Sequence, residues 1–415
     1  MSNYQVRRGA SAKLGKIEGD LKVGNGAKIE PIQGRTIIVT GEANFDGAAE
    51  LNSDFECGTL KASHGGVLRI KGNLTVRTKL DVVHSVEAYG AISAEEIDVG
   101  GKIRSKSITC KSIRVGGVVS VMESLAAESV DVGGKVLVRG PVKLVDLGVG
   151  GLAEVGGGSI TGQIRVGGKF ESSSALKFGD LQVLGRTNLP GGCIGDKIQS
   201  TGKLVVSGDL ECKEVDAHGV AEIRGHCKST KVEVGGKLEI YGSLQVADRV
   251  EIYGTTVVHD ELTCASLVIG GKFRAKKAIV GGEIDIAGDS ETREGLRGNV
   301  VYVRGGSTCG GPIVGNRVDI GGSKMIVANW SRKWMGQSAV IHLVGKMTRV
   351  EDVYGGTVTL GKSTRCRKVF GDTVEVQNGV VAEEIVYTRE LRGDLGRVYF
   401  SQPPRKVSDL PRLEI

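Results

Sequence analysis

Eight cysteines are the side chains with the greatest potential for chemistry, and their spacing limits what they can do. No two of them form the close C-x₂-C pair of a zinc site, and their density is far below that of a small secreted disulfide scaffold. We therefore expect reduced and mostly buried thiols. The eight residues are Cys57, Cys110, Cys193, Cys212, Cys227, Cys264, Cys309 and Cys366.

Histidines and carboxylates lack the patterns that metal binding or hydrolysis requires. The six histidines are scattered without an H-E-x-x-H motif, and a metal site built from His218 and His226 would need both side chains in one groove. Glu95 and Glu96 fit a solvated surface. The sequence also contains no G-x-S-x-G element, and its glycine pairs are followed by strand patterns, without the helix start that a phosphate-binding loop requires. It predicts a protein that is not an enzyme, with no catalytic residue, cofactor or metal site.

Composition indicates a folded chain rich in strands. Glycine supplies 65 of 415 residues, proline supplies 7, and aromatic residues make up only 4%. The apolar residues are mainly valine, isoleucine and leucine, and β-branched side chains favour strands. Lysine and arginine number 55 against 48 acids, a net charge of +7, but the charges are interspersed, which argues against nucleic-acid binding.

Apolar stretches are too short for membrane insertion or secretion. No run of about 18 apolar residues occurs, and the polar start at residues 1–5 lacks the apolar core of a signal peptide. The sequence therefore predicts a cytoplasmic protein with no integral membrane segment.

The elements that would position these side chains follow from an internal repeat, a β-branched residue followed by two glycines. In the clearest copies the repeat residues lie 16 or 17 positions apart, at Val99, Val115, Val132, Val149 and Val166. Weaker copies fall near Val183, Ser200 and Ala217. The series continues at Val234, Ile252, Ile269, Ile286, Val303 and Ile320, then two periods later at Tyr354, and then at Phe370 and Tyr387.

Three further aliphatic series run beside the first with the same period, which predicts strands stacked in register. One contains Ile103, Val119, Val136, Ala153 and Phe170. Another contains Ile108, Leu125, Val142, Ile160 and Leu176, and the last contains Ile97, Ile113, Val130, Leu147 and Ile164. Side chains from three sides would close one continuous aliphatic core.

The paired glycines are predicted to be structural, because a corner every few residues favours positive φ, which glycine adopts at little steric cost. These turn glycines are Gly100, Gly101, Gly116, Gly117, Gly133, Gly134, Gly150, Gly151, Gly167, Gly168, Gly235, Gly236, Gly270, Gly271, Gly321 and Gly322.

Together these patterns predict an all-β fold, a single-stranded parallel β-helix with triangular circuits, here called rungs, of about 17 residues. Parallel crossovers favour a right-handed coil. About 22 or 23 rungs spaced about 4.8 Å apart would form a rod on the order of 100 Å long. We place an N-terminal extension at residues 1–14, a continuous rod at 15–400 and a C-terminal tail at 401–415.

Irregular segments mark possible partner surfaces. Residues 289–294 are polar and turn-like, and residues 326–340 contain both tryptophans, Trp330 and Trp334. The distance of 34 residues from Ile320 to Tyr354 predicts a deviant rung there and not an insertion. The tryptophans fit either a partner site or packing on the rod's own surface.

The last rung is the other candidate for self-association. An open edge of a stacked sheet invites pairing with another chain, and Val398, Tyr399 and Phe400 lie where the repeat ends. Pro403 and Pro404 should stop the strand pattern, since proline cannot donate to a ladder. The tail after them is either a flexible extension or a cap.

The 17-residue period, the glycine-rich turns and the inward aliphatic series resemble the bactofilins, a family of polymer-forming cytoskeletal proteins. The resemblance covers about residues 15–400. It implies a right-handed triangular β-helix that polymerises end to end without nucleotide into non-polar filaments. Such filaments scaffold membrane-associated or other cytoskeletal proteins.

Two features depart from the bactofilin pattern. The repeat is several times longer than in typical members, and residues 1–8 lack the apolar membrane-targeting stretch that many members carry. The glycine-rich β-helices of glutamate synthase and formylmethanofuran dehydrogenase are an alternative resemblance, which implies a subunit that braces an enzyme complex. A carbohydrate-active β-helix is the third alternative. The favoured hypothesis is a filament-forming or scaffold protein whose partner is a further copy of itself.

Overall fold

The computed structural model describes residues 4–321 and 347–411, and in this part of the chain nearly every element is a β-strand. The chain divides into two compact units, residues 1–211 and 212–415. Both are parallel β-solenoids, and their rungs of about 17 residues number about 22 in all. The predicted all-β parallel solenoid is confirmed.

The strands of the first unit, in chain order, are β1 (Tyr4–Val6), β2 (Ser11–Leu14), β3 (Lys16–Ile17), β4 (Leu21–Gly24), β5 (Ala27–Pro31), β6 (Thr36–Val39), β7 (Glu42–Asp46), β8 (Ala49–Leu51), β9 (Asp54–Cys57), β10 (Thr59–Ala62), β11 (Val67–Ile70), β12 (Leu74–Val76), β13 (Lys79–Val82), β14 (Ser85–Ala88), β15 (Ala91–Ser93), β16 (Glu96–Val99), β17 (Lys102–Thr109), β18 (Ser112–Val115), β19 (Val118–Val132), β20 (Lys135–Val138), β21 (Val142–Val149), β22 (Leu152–Val155), β23 (Gly158–Val166), β24 (Lys169–Ser172), β25 (Leu176–Val183), β26 (Arg186–Leu189), β27 (Cys193–Ser200) and β28 (Lys203–Val206). Strand β29 (Leu210–Ala217) contains the division between the units.

The second unit continues with β30 (Val220–Ile223), β31 (Cys227–Val234), β32 (Lys237–Ile240), β33 (Leu244–Ile252), β34 (Thr255–Cys264), β35 (Ser266–Ile269), β36 (Lys272–Val280), β37 (Glu283–Ile286), β38 (Asp289–Thr292), β39 (Leu296–Arg297), β40 (Val300–Val303), β41 (Ser307–Cys309), β42 (Ile313–Ile320), β43 (Thr348–Leu360), β44 (Thr364–Val376), β45 (Val381–Gly393), β46 (Tyr399–Phe400) and β47 (Arg405–Lys406). A single 3₁₀ turn, Leu395–Arg397, precedes β46. Among the described residues, no helix is long and apolar enough to cross a membrane.

Each rung of the first unit contributes one strand segment to each of three parallel ladders. The ladders begin with β1, β4 and β7, with β2, β5 and β8, and with β3, β6 and β9. Later strands such as β19 pass through two corners and supply segments to all three ladders. Because the ladders are parallel and in register, every second side chain of a segment points inward, where it stacks on its counterpart in the next rung.

The inward side chains form the aliphatic core. Ile103 pairs with Val119, and Ile97 pairs with Ile113, and all four are buried. The series that starts at Ile103 and the one that starts at Ile97 are confirmed throughout. A few aromatic residues are buried as well, and near the start of the chain Phe45 packs edge-to-face on Phe55 with ring centroids 5.9 Å apart.

One member of the series that starts at Ile108, Ile160, is misplaced, so the two steps on either side of it are wrong. Val142 pairs with Gly158, and Gly158 pairs in turn with Leu176. Ile160 is buried as expected, but it stacks on Leu144, which lies two residues after Val142 on strand β21. Because position 158 is a glycine, the aliphatic series took Ile160, two residues later, in its place.

The turn glycines are structural, but the expected reason for them is wrong. The glycine pairs from Gly100 to Gly168 do not adopt φ values between +20° and +160°. They are glycines because successive corners stack closely: a Cβ added to Gly117 would lie 2.4 Å from the carbonyl oxygen of Gly101. Gly321, with φ of +72°, is the described member of the set that does need a left-handed backbone.

The interior of the second unit becomes polar in the rungs that contain β38 and β41. Residues 289–292 form β38, so the segment expected to be turn-like is a strand. Ser290 and Ser307 lie on facing inward positions with their hydroxyls 2.7 Å apart, and the Thr292 hydroxyl donates to the Cys309 sulfur at 3.1 Å. The polar inward positions are therefore satisfied by partners in the next rung.

The prediction of a deviant rung after Ile320 is wrong. Ile320 pairs directly with Leu360, 40 residues later, and Val318 pairs with Val358. Successive rungs separate paired residues by about 17 positions, so the 40 positions from Ile320 to Leu360 include about 23 more than one rung needs. Residues 322–346, where the deviant rung was expected, lie outside the described residues. Tyr354 pairs with Val314, in a different ladder from Ile320, so its distance of 34 residues from Ile320 matches two periods by coincidence.

Strand pairing extends beyond the limits expected for the repeat. Tyr4–Val6 and Ser11–Leu14, before residue 15, pair with β4 and β5. After residue 400, Arg405–Lys406 pairs with β45.

Candidate functional site

The first rung leaves one edge of each of its strands without a described partner strand. Strands β1, β2 and β3 pair with β4, β5 and β6 on one side, and the part of the chain that the structure describes places no strand on the other. Val6, Leu14 and Ile17 point inward and are nearly buried, while Tyr4 stacks on Leu21 and stays 45% exposed. The end of the first unit thus presents three strand edges and one exposed apolar side chain, that of Tyr4.

Backbone directions show which groups face this outer edge. The N–H of Tyr4 donates to the carbonyl of Asp20 at 3.0 Å, and the carbonyl of Leu14 accepts from the N–H of Ile32 at 2.9 Å, so both residues point toward the second rung. Successive peptide groups of a strand alternate in direction, which turns the N–H groups of Gln5 and Lys13 outward. Both residues are exposed.

The last rung, formed by β45, has a partly covered outer edge. Val381 and Ala382 of β45 pair with β46, and Val386 and Tyr387 pair with β47. For its third segment, residues 390–393, the described ranges contain no strand on the outer side. Leu391 lies there, stacked on Val374 and half-exposed.

The residues predicted for self-association lie at this edge. Tyr399 and Phe400 form β46, with Tyr399 65% exposed, and Val398 and Phe400 are half-buried. Pro403 and Pro404 separate β46 from β47, so strand pairing stops before them, as predicted, and then resumes. The other candidates, Trp330, Trp334 and Gly322, lie outside the described residues.

An outward column of apolar side chains leads to the last rung, and the sequence did not reveal it. Val314, Tyr354, Phe370 and Val386 occupy matching positions in successive rungs. The rings of Tyr354 and Phe370 stack with centroids 4.6 Å apart, and burial raises the pKa of the Tyr354 hydroxyl. The final position of the column is held by Arg405 of β47. Repeat counting had assigned Tyr354 and Phe370 to the inward Val-Gly-Gly series, which hid this outward column.

The first unit also carries a groove of about 690 Å³ near the corner that follows β20. Its lining includes three cations, Arg104, Arg139 and Lys169, and two carboxylates, Glu154 and Glu171. Lys169 pairs with Glu171 across the groove wall. Charges of both signs give no clear preference for an anionic or a cationic ligand.

The cysteine side chains pack mostly in the interior of the two units. All eight cysteines carry thiols that are not joined in disulfides, and seven of them are buried. Burial raises the pKa of Cys57, Cys227 and Cys366 to about 12, so these thiols stay protonated near neutral pH. A protonated, buried thiol is a poor nucleophile and a poor metal ligand.

The histidines have separate partners. His218 Nδ1 lies 2.5 Å from Asp216, and His226 Nδ1 lies 2.8 Å from the Ser243 hydroxyl, so the two rings considered for a shared metal bind different neighbours. Within residues 4–321 and 347–411, no three histidine, cysteine or acidic side chains are close enough together to hold a metal ion.

Comparison of the chain with protein-family models, with curated proteins and with solved structures found no match. Within the described residues, the first and last rungs have strand edges without a partner strand, with the side chain of Tyr4 exposed at the first rung.

Proposed function

We propose that this chain is a bactofilin-like structural protein that associates end to end with further copies of itself, without nucleotide, to form filaments or an extended scaffold. The observation that carries the proposal is the outer edge of the first rung. There, three short strands have an edge with no described covering strand, and the side chain of Tyr4 is exposed.

Such an edge favours pairing with another copy for two physical reasons. Unpaired N–H and C=O groups of a sheet edge form hydrogen bonds with any strand of suitable direction. The exposed side chain of Tyr4 would also lose water contact against a second end, and each buried Å² of apolar surface contributes roughly 25 cal/mol. Both contributions come from the polypeptide alone, so association needs no bound nucleotide.

Proline at the outward N–H positions tests the proposal. In the double variant Gln5→Pro/Lys13→Pro, two outward donors are lost, while the bonds that Tyr4 and Leu14 make to the second rung are kept. We expect the variant to stay folded and to lose sedimentable assemblies. The matched control, Gln5→Thr/Lys13→Thr, keeps both N–H groups and should assemble as the unmodified chain does.

Circular dichroism melting would confirm that both variants are folded, and ultracentrifugation over a range of protein concentrations would measure assembly. If the unmodified chain assembles and the folded proline variant assembles equally well, the first-rung edge is not the contact. If the unmodified chain stays monomeric at all concentrations, the proposed function itself fails.

A further inference from the structure

The outer edge of the last rung is occupied by the chain's own tail, residues 395–411. Tyr399 and Phe400 pair with Val381 and Ala382, and Arg405 and Lys406 pair with Val386 and Tyr387. These pairs are parallel and in register, as are the pairs between successive rungs. The tail thus fills backbone positions that another rung would fill.

The tail is held mainly by its backbone. The N–H of Tyr399 donates to the carbonyl of Val380 at 3.1 Å, and the N–H of Val407 donates to that of Tyr387 at 2.9 Å. No residue of the 3₁₀ turn, of β46 or of β47 is buried. The tail therefore adds little apolar burial to the last rung.

One ion pair adds to these bonds. The guanidinium of Arg405 lies 3.0 Å from the Glu384 carboxylate, with side chains 67% and 18% exposed. A pair this exposed contributes little and is weakened by salt. By contrast, β44 pairs with β45 along all three sides of the rung.

Part of the outer edge of the last rung is not covered by the tail. The segment at residues 390–393 has no partner strand within the described residues, and Leu391 there is a half-exposed inward side chain above Val374. A full rung placed on β45 would cover this segment and both positions now taken by the tail. A second copy of this chain presents such a rung at its first-rung end.

We infer that the outer edge of β45 is a docking edge for a second copy of this chain, and that the tail competes with that copy for the edge. The inference rests on the proposed end-to-end association and adds its regulation. While the tail is docked, growth from the last rung is blocked, and association is restricted to the first-rung ends. Displacement of the tail permits growth from both ends.

A reversible cross-link in the full chain tests the inference. Val381 and Tyr399 are register partners on neighbouring strands, and a strand spacing of about 4.8 Å lies within disulfide reach. We expect the oxidised variant Val381→Cys/Tyr399→Cys to stop at small oligomers, and the reduced variant to form longer assemblies. The two single variants should not respond to oxidation, because seven of the eight native thiols are buried.

The opposite change should promote growth. The variant Tyr399→Pro/Val407→Pro lacks two of the N–H groups that hold the tail on the last rung. Two lost hydrogen bonds predict a critical concentration for assembly about five- to tenfold lower than that of the unmodified chain. Asp409→Pro, at an exposed tail residue, is the control and should leave the critical concentration unchanged.

Light scattering and electron microscopy of folded samples give readouts that separate the two proposals. The inference is supported if assembly decreases when the Val381→Cys/Tyr399→Cys variant is oxidised and increases in the Tyr399→Pro/Val407→Pro variant. Assembly that is equal in the locked, reduced and proline variants overturns the inference and leaves the proposed function standing. Failure of every variant, and of the unmodified chain, to assemble overturns both.

Discussion

At the corners of the first unit, glycines stack on glycines with no room for a methyl group. A Cβ at position 117 would meet the backbone oxygen of Gly101 at 2.4 Å, and backbone can move aside only by disturbing the ladder. We expect Gly117→Ala to lower the free energy of unfolding by about 1–3 kcal/mol.

Gly148 provides the matched control for that substitution. It lies on a strand, and its added Cβ would meet nothing closer than Asp131 Oδ1 at 3.5 Å. Gly148→Ala should be neutral or slightly stabilising, because alanine restricts the unfolded chain more than glycine does. Equal melting of the two alanine variants in urea and heat would contradict the stacking explanation of the paired glycines.

The inward ladder makes a second residue-scale prediction. Ile103 is buried between register partners on both sides, whereas Lys102 beside it is exposed. Ile103→Asp should cost several kcal/mol, about 3–5, because a carboxylate would lose its water without gaining a partner. Lys102→Asp should cost less than about 0.5 kcal/mol in the same urea titration.

The buried thiols predict an alkaline limit on stability. Burial raises the pKa of Cys57 and Cys366 from 9.0 to about 12 in the folded chain. Above pH 9 the unfolded chain releases these protons and the folded chain keeps them. The two thiols therefore make their full contribution to the free energy of unfolding below about pH 9, and this contribution is lost as the pH rises toward 12.

Urea unfolding at about pH 8 and about pH 10.5 would measure this decline. Replacing both cysteines with alanine should make the decline smaller, after allowance for the lower stability of the variant at the lower pH. A decline that is unchanged in the double variant would show that other groups cause it.

Among the elements, strands β42 and β43 make the clearest prediction. Their direct pairing, Ile320 with Leu360, shows that the solenoid ladder does not depend on strands between them. A variant lacking residues 322–345 would join Gly321 to Thr348 through two residues, and corners of two residues are common in both units. We expect this variant to fold and to melt within a few degrees of the full chain.

Circular dichroism and the m-value for urea unfolding would test this prediction. An insoluble variant, or one whose m-value falls sharply, would show that the inserted residues are required for the rungs around them. Loss of assembly by a fully folded variant would instead assign the inserted residues a role in association.

The sequence predicted the stacking of rungs correctly where the 17-residue repeat was regular. It failed where a residue of another ladder fell by coincidence at a multiple of the same period. The repeat at Val99, Val115 and Val132 identified the stacking of rungs because each inward residue meets its own counterpart. Tyr354 was misplaced because an insertion of nearly one and a half periods shifts the count from one ladder to another. No spacing rule could detect that shift without the pairing of the flanking strands.

The candidate site was only partly predictable for a similar reason. Tyr399 and Phe400 stood out because aromatic residues are scarce and the repeat ends there. The return of Arg405 and Lys406 to the outer edge of β45 was not predictable, because two prolines precede them and the paired segment is only two residues long.

On the scale of the whole molecule, the first and last rungs differ in how much of their outer strand edges is covered. The first rung has strand edges without a described cover and a half-exposed Tyr4, whereas the last rung carries the tail on two of its three sides. This difference makes association depend on salt in a defined direction. Salt weakens the Arg405–Glu384 pair and strengthens apolar contacts, so assembly should increase as ionic strength rises above about 0.1 M.

Negative-stain electron microscopy of the purified, nucleotide-free chain, over a range of protein and salt concentrations, tests the central claim most directly. The account predicts linear assemblies that lengthen with concentration and that are missing from the Gln5→Pro/Lys13→Pro variant. Discrete single particles at every concentration, identical for the unmodified chain and the variant, would contradict end-to-end association.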